Sequence, residues 1–158
     1  MIRRAEAEDW ELLRDVRLRA LREDPEAFLQ TYAEASAFAP KQWQERAAQA
    51  NGASFVVEGS AGAEGLATGF VDTDPGTVFL VGMWVAPSLR GSGVAGELVS
   101  HVVDWARARG ATRVCLSVEG QNLRAARLYE RCGFTQLAEP PELPYTPNAG
   151  NRFYELRL

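Results

Sequence analysis

A strand ending at Val85, a glycine-bearing turn and a long amphipathic helix follow one another without interruption, and this junction constrains the chain more than any other segment. It reads Val85-Ala86-Pro87-Ser88-Leu89-Arg90-Gly91-Ser92-Gly93-Val94-Ala95-Gly96. Beyond it Val94, Ala95, Leu98, Val99, Val102, Trp105 and Ala106 recur at helical spacing, which predicts one apolar face, and Gly110 supplies the stop. Such a turn exposes successive backbone N–H groups at the positive end of a helix dipole, where a diphosphate can bind. Two other readings of the same residues stay open. The glycines could make only a tight strand-to-helix turn, or the turn could open a dinucleotide fold. The second requires a βαβ unit with an acidic residue about 20 positions on, whereas this turn follows a meander.

The meander itself is read from Ser54–Glu58, Gly65–Val71 and Thr77–Val85, separated by Gly59-Ser60-Ala61-Gly62 and Asp74-Pro75-Gly76. Upstream, Ile2–Arg4 is a candidate first strand. Asp9 then caps a helix whose Leu12, Leu13, Val16 and Ala20 share one face, Glu26–Gln30 is a candidate short helix, and Pro40 starts another holding Trp43 and Arg46. Downstream come a strand at Arg113–Val118, a helix from Asn122 to Cys132 ended by Gly133, and strands at Phe134–Glu139 and Arg152–Leu158. A Pro-rich loop, 140–147, separates the last two. With 158 residues, 46% of them hydrophobic, and no internal repeat, residues 1–158 are expected to form a single domain.

Charge and composition exclude several functions. A net charge of −4 gives no basic field for nucleic acid, and Lys41 is the sole lysine among 17 basic residues, so a Walker phosphate loop is absent. The uncharged stretch Pro75–Leu89 is too short and too broken for a membrane helix, which needs about 20 apolar residues. A charged N-terminus argues against a secretory signal and for a cytoplasmic protein. Cys115 and Cys132 read as free thiols, and with His101 as the only histidine they offer no metal pattern.

Two segments carry a resemblance. Arg90-Gly91-Ser92-Gly93-Val94-Ala95, preceded by Met83-Trp84-Val85-Ala86-Pro87, resembles the Arg/Gln-x-x-Gly-x-Gly/Ala motif of the Gcn5-related N-acetyltransferase (GNAT) family. Asn122-Leu-Arg-Ala-Ala-Arg-Leu128-Tyr129-Glu130-Arg-Cys-Gly133-Phe134 resembles that family's Asn-x-x-Ala-x-x-Leu-Tyr-x-x-x-Gly-Phe segment. The resemblance implies an α/β fold with a mixed, mostly antiparallel sheet of about seven strands flanked by helices, splayed where the strand ending at Val85 meets the one ending near Val118. It also implies an acyltransferase that moves acetyl from acetyl-CoA to a primary amine by direct attack in a ternary complex, with no metal. The acceptor would be an amine-bearing small molecule, a protein N-terminus or a lysine, and a homodimer is compatible with the family. The competing reading is an acyl-CoA-binding module without catalysis, or a transferase of longer acyl chains.

Carried over residue by residue, the resemblance implies that Met83, Trp84 and Val85 pair with the pantetheine arm. Arg90, Gly91, Ser92, Gly93, Val94, Ala95 and Gly96 would hold the diphosphate, with Arg90 a solvent-exposed charge of lesser weight. Asn122 would bond the pantetheine region besides capping its helix, and Tyr129 would be the general acid for the leaving thiolate instead of a packed aromatic. Backbone N–H groups near Gly82–Val85, at an expected bulge, would stabilise the oxyanion. Many relatives carry a base on the strand before the Asn; here that position is Ser117, which cannot serve, and Glu119 is the remaining candidate. Phe28, Tyr32, Trp43 and Tyr145 are candidate walls of the acceptor pocket. The acidic balance gives a slight long-range preference for cationic acceptors.

Overall fold

In the computed structural model, which describes residues 1–158, the chain starts with β1 (Ile2–Arg4) and α1 (Trp10–Glu23). Asp9 stands at the start of α1 as expected, yet its carboxylate does not bond the helix. It accepts instead from the Glu6 N–H at 2.7 Å and from both Arg3 Nη atoms at 2.9 Å, tying the helix entry to β1. The expected helix at Glu26–Gln30 is only a 3-10 turn over Pro25–Ala27, since Asp24-Pro25 breaks the chain direction. A short helix that the periodicity did not reveal, α2 (Tyr32–Ser36), follows, capped by Thr31 Oγ1 on the Glu34 N–H. α3 (Pro40–Ala47) closes this helical part with Trp43 buried beneath it.

The meander is β2 (Gly52–Gly59), β3 (Gly62–Val71) and β4 (Thr77–Val85); then come α4 (Val94–Ala108), β5 (Arg113–Val118), α5 (Leu123–Arg131), β6 (Thr135–Leu137) and β7 (Arg152–Arg157). β6 is shorter than the Phe134–Glu139 expected, because Phe134 turns into the core and the prolines of the following loop cannot extend the ladder. The seven strands run β1-β2-β3-β4-β5-β7-β6, antiparallel throughout except for the parallel β4–β5 pair that α4 bridges.

α4 and α5 bury their apolar faces on one side of the sheet. Leu98, Val99, Val102 and Ala106 from α4 meet Val78 and Leu80 of β4 and Val114, Leu116 and Val118 of β5. On the opposite side, Val16 and Ala20 of α1 pack on Val56, Leu66 and Trp84. Two features of β4 shape what lies between these layers. Its ladder with β5 ends after three pairs, Thr77↔Arg113 to Phe79↔Cys115, while β5 stays paired to β7 as far as Val118. Its ladder with β3 slips by one residue between Val81 and Trp84, and Gly82 sits there at φ +64, a glycine-type bulge that bends the strand away from β5. The sheet therefore opens at the C-terminal ends of β4 and β5, as the resemblance implied.

Candidate active site

The opening is a cleft of about 210 Å³. Met83, Trp84, Val85, Arg90, Gly91 and Ala95 line one wall, and Ser117, Glu119, Asn122 and Tyr129 the other, so the structure brings together most residues singled out from sequence. Beyond Phe79 the β5-facing backbone of β4 has no strand partner, which leaves an edge onto which an extended ligand can add.

The glycine turn lies at the cleft's end. Gly91 has φ +83 and Gly93, the residue capping α4, has φ +90, a region L side chains rarely adopt. A Cβ at Gly91, Gly93 or Gly96 would meet no protein atom within 4 Å, so the space in front of the turn is open to a ligand. Ser92 and Gly93 are exposed, and Val94, Ala95 and Gly96 half-buried, along the approach to the α4 N-terminus.

Arg90 departs from expectation. It is not a free solvated charge: Nη2 donates to Asp24 Oδ2 at 2.7 Å and Nε to the Val85 carbonyl at 3.2 Å. The Trp84 indole N–H donates to the same Asp24 oxygen at 2.7 Å, and the ring is buried on the α1 side of the sheet. Asp24 thus clamps β4 and the turn to the end of α1. Burial raises its carboxyl pKa, but the bonds from Trp84 and Arg90 outweigh that and leave it below the usual value. Sequence periodicity had no means of finding Asp24, whose partners lie 60 and 66 positions away.

Asn122 caps α5 through Oδ1, which accepts from the Ala125 N–H at 3.2 Å, and its side chain also faces the cleft. Tyr129 is 95% buried, edge-on to Phe134 at 5.8 Å between ring centroids, and reaches the cleft with its remaining surface. Burial pushes its phenol pKa upward, so the hydroxyl is a proton donor at neutral pH. Ser117 Oγ lies 2.9 Å from the Tyr145 hydroxyl, and burial raises that phenol's pKa also, so neither group is a ready base. The Glu119 carboxylate accepts from the Gln121 N–H at 2.8 Å while lining the cleft.

A second cavity, of about 640 Å³, opens on the α1 side between α1, α3 and the strands β2–β4. Val81 and Gly82 belong to both spaces, so the two meet at the bulge. Trp43 lines this cavity and Phe28 the cleft, whereas Tyr145 lines neither space and only touches the cleft residue Ser117, and Tyr32 is exposed beneath Arg22, facing neither space. Cys115 and Cys132 are free, with burial raising both thiol pKa values, which keeps them protonated and unreactive. No helix is long and apolar enough to cross a membrane.

Residues 13–134 match the acetyltransferase (GNAT) family. The chain belongs to that family. Both the glycine turn and the Asn122–Phe134 segment of this GNAT protein fall inside the matched range. It is 43% identical over 67 residues to a mycothiol acetyltransferase of Beutenbergia cavernae, an alignment covering 42% of this chain and 22% of that one. The chain spans less than two thirds of the length of the curated relatives it matches. The fold is similar to that of an acetyltransferase from Streptococcus agalactiae, with TM-score 0.78, 24% identity and coverage of 100% of this chain and 98% of the other. It is also similar to yncA from Salmonella typhimurium, solved with its cofactor acetyl-CoA, with TM-score 0.75, 23% identity and coverage of 99% and 92%.

Proposed function

We propose that this GNAT protein transfers an acetyl group from acetyl-CoA to the primary amine of a small molecule, by direct attack in a ternary complex. The observation that carries the reading is the meeting of two cavities at the Gly82 bulge, one leading to the glycine turn and the other open to an acceptor. When bound, acetyl-CoA supplies a thioester carbonyl for the amine to attack and a thiolate to leave. The turn from Gly91 to Gly96 and the α4 N-terminus hold the diphosphate through oriented N–H groups, and Arg90 supports the turn from behind. The unpaired edge of β4 at Met83–Val85 takes the pantetheine arm, with Asn122 opposite. Backbone N–H groups at the bulge meet the developing oxyanion.

The amine nitrogen bonds the acetyl carbon, the C–S bond breaks, Tyr129 protonates the departing sulfur, the nitrogen's surplus proton goes to solvent, and a solvent proton restores the Tyr129 hydroxyl. An alkyl ammonium of pKa near 10.4 is neutral in only about one molecule in 10³ at pH 7, so proton removal is part of the cost. With Ser117 tied to Tyr145, Glu119 on the cleft wall, acting through water, is the candidate carboxylate for that step. Thiol release from acetyl-CoA, screened over a panel of primary amines, tests the reading. Amine-dependent release is expected, and its absence from a protein that binds acetyl-CoA would favour a binding module without catalysis.

A further inference from the structure

Arg17 is a charged group of the acceptor cavity with no part in the acetyl transfer itself. It projects from α1 to the underside of the bulge, with Nη1 3.7 Å from where a Cβ on Gly82 would stand. Its hydrogen bonds go to the neutral side-chain oxygen of Gln30, at 3.3 Å from Nε and 3.2 Å from Nη2, and its guanidinium stacks on Phe28 at 4.7 Å. None of the chain's ten ion pairs includes it. Arg46 enters the same cavity from α3, stacked on Phe38 at 4.6 Å and likewise without a carboxylate. Arg4 is the third cation on the lining, against Glu6 as the one anion. Burial, and then the neighbouring Arg46 charge, lower the Arg17 pKa to about 10, so the group stays protonated at neutral pH while lacking an anionic partner.

A half-buried guanidinium without a counter-ion is unfavourable in the free protein, and a ligand oxyanion is what relieves it. We propose that Arg17, with Arg46 at the mouth, forms an anion subsite, and that the acceptor is a small amine carrying its own carboxylate within a few bonds of the nitrogen, as in an amino acid. The short separation follows from geometry: the nitrogen must reach the carbonyl at the bulge, and Arg17 lies directly beneath it. The planar fork of Arg suits two-point binding of a carboxylate, and Gln30 fixes its orientation. Locally this reverses the long-range preference for cations that net charge implied, and it disfavours polycationic acceptors, which would meet Arg17 and Arg46 head-on.

The inference rests on the acetyl-transfer reading, so its test includes a readout that does not need turnover. In the thiol-release assay, amino acids should exceed their decarboxylated amines and carboxamides in kcat/KM by about 10–100-fold, the range for a charge-assisted contact. Arg17→Gln should collapse that ratio toward one, chiefly through KM, and Arg17→Lys should restore part of it. Separately, calorimetry with N-acetylated amino acids should detect binding to the wild type that weakens about 10-fold or more in Arg17→Gln. The acetyl-CoA Kd of each variant serves as the check on folding. Equal use of acids and amides, or a ratio and product affinity untouched by Arg17→Gln, would overturn the subsite. Product binding that depends on Arg17 in a protein showing no turnover would sink the transferase reading and leave the subsite standing.

Discussion

Tyr129 illustrates how one residue acquires a role from its surroundings. Helical spacing in α5 turns it inward, Phe134 packs against it, and burial raises its pKa so that the proton stays in place until strongly alkaline pH. Tyr129→Phe should lower kcat by about 10²–10⁴-fold, nearer the lower limit because a thiolate leaves readily, with acetyl-CoA affinity little changed. Since the shift is upward, ionisation of Tyr129 should produce no fall in rate between pH 7 and about 10 in a wild-type pH profile. Steady-state kinetics of the two proteins check both statements.

At Ser117 the converse experiment is available. Ser117→Glu places a carboxylate beside Tyr145 and should raise turnover of high-pKa amines at neutral pH, whereas Glu119→Gln should flatten the alkaline-rising limb of the rate profile if proton removal passes through that group. Silence in both variants would assign acceptor deprotonation to solvent alone.

Among the elements, the clamp from α1 to β4 matters most to the site. Asp24 receives the indole N–H of Trp84 and the guanidinium of Arg90 on one oxygen, so removing it strands two donors at once. Asp24→Ala should destabilise the fold by about 1–3 kcal/mol at pH 7 in urea unfolding and weaken acetyl-CoA binding by loosening the turn after Leu89. The folded pKa of Asp24 lies below its unfolded value, so its contribution is full above about pH 4 and is lost as pH falls through the folded pKa. The difference between wild type and Asp24→Ala should therefore shrink when unfolding is repeated near pH 2.5.

The turn itself depends on backbone geometry. Gly93→Val should abolish acetyl-CoA binding in calorimetry, and the free protein has room for the added side chain. What it lacks is a φ of +90 compatible with a β-branched residue, together with the space a diphosphate needs.

At the scale of the whole molecule, ligand and acid act on the same architecture from opposite directions. Acetyl-CoA at about 100 times its Kd should stabilise the fold by about 2.7 kcal/mol, which in a domain of this size corresponds to a rise in Tm of roughly 5–10 °C in a thermal melt, absent in Gly93→Val. Acid should destabilise steeply below pH 4. Bonding to Arg3 and to the Glu6 N–H holds Asp9 at about 2, and Asp24 is also lowered, so both contributions disappear as those carboxylates take up protons. Melts between pH 2 and 6, with Asp9→Asn for comparison, test the assignment, since that variant should lose less stability over the same range.

What the sequence alone determined were the local things. The apolar stripe of α4, the alternation of the meander, the caps at Asn122 and Gly133 and the glycines of the turn each depend on neighbours within a few positions, and periodicity and backbone preference act over that range. The fold class and most of the cleft lining were legible because two motifs lie at its two sides. Only the tertiary structure decided the rest. Arg90 reads as a free charge until Asp24 is brought across 66 positions to meet it, and Ser117 reads as a vacancy until the Pro-rich loop returns Tyr145 to its side. The clearest case is Arg17, which nothing in the sequence of α1 singles out from the other arginines of that helix. Its packing under the Gly82 bulge, outside every ion pair, is a consequence of where α1 crosses the sheet, and no local pattern encodes that placement.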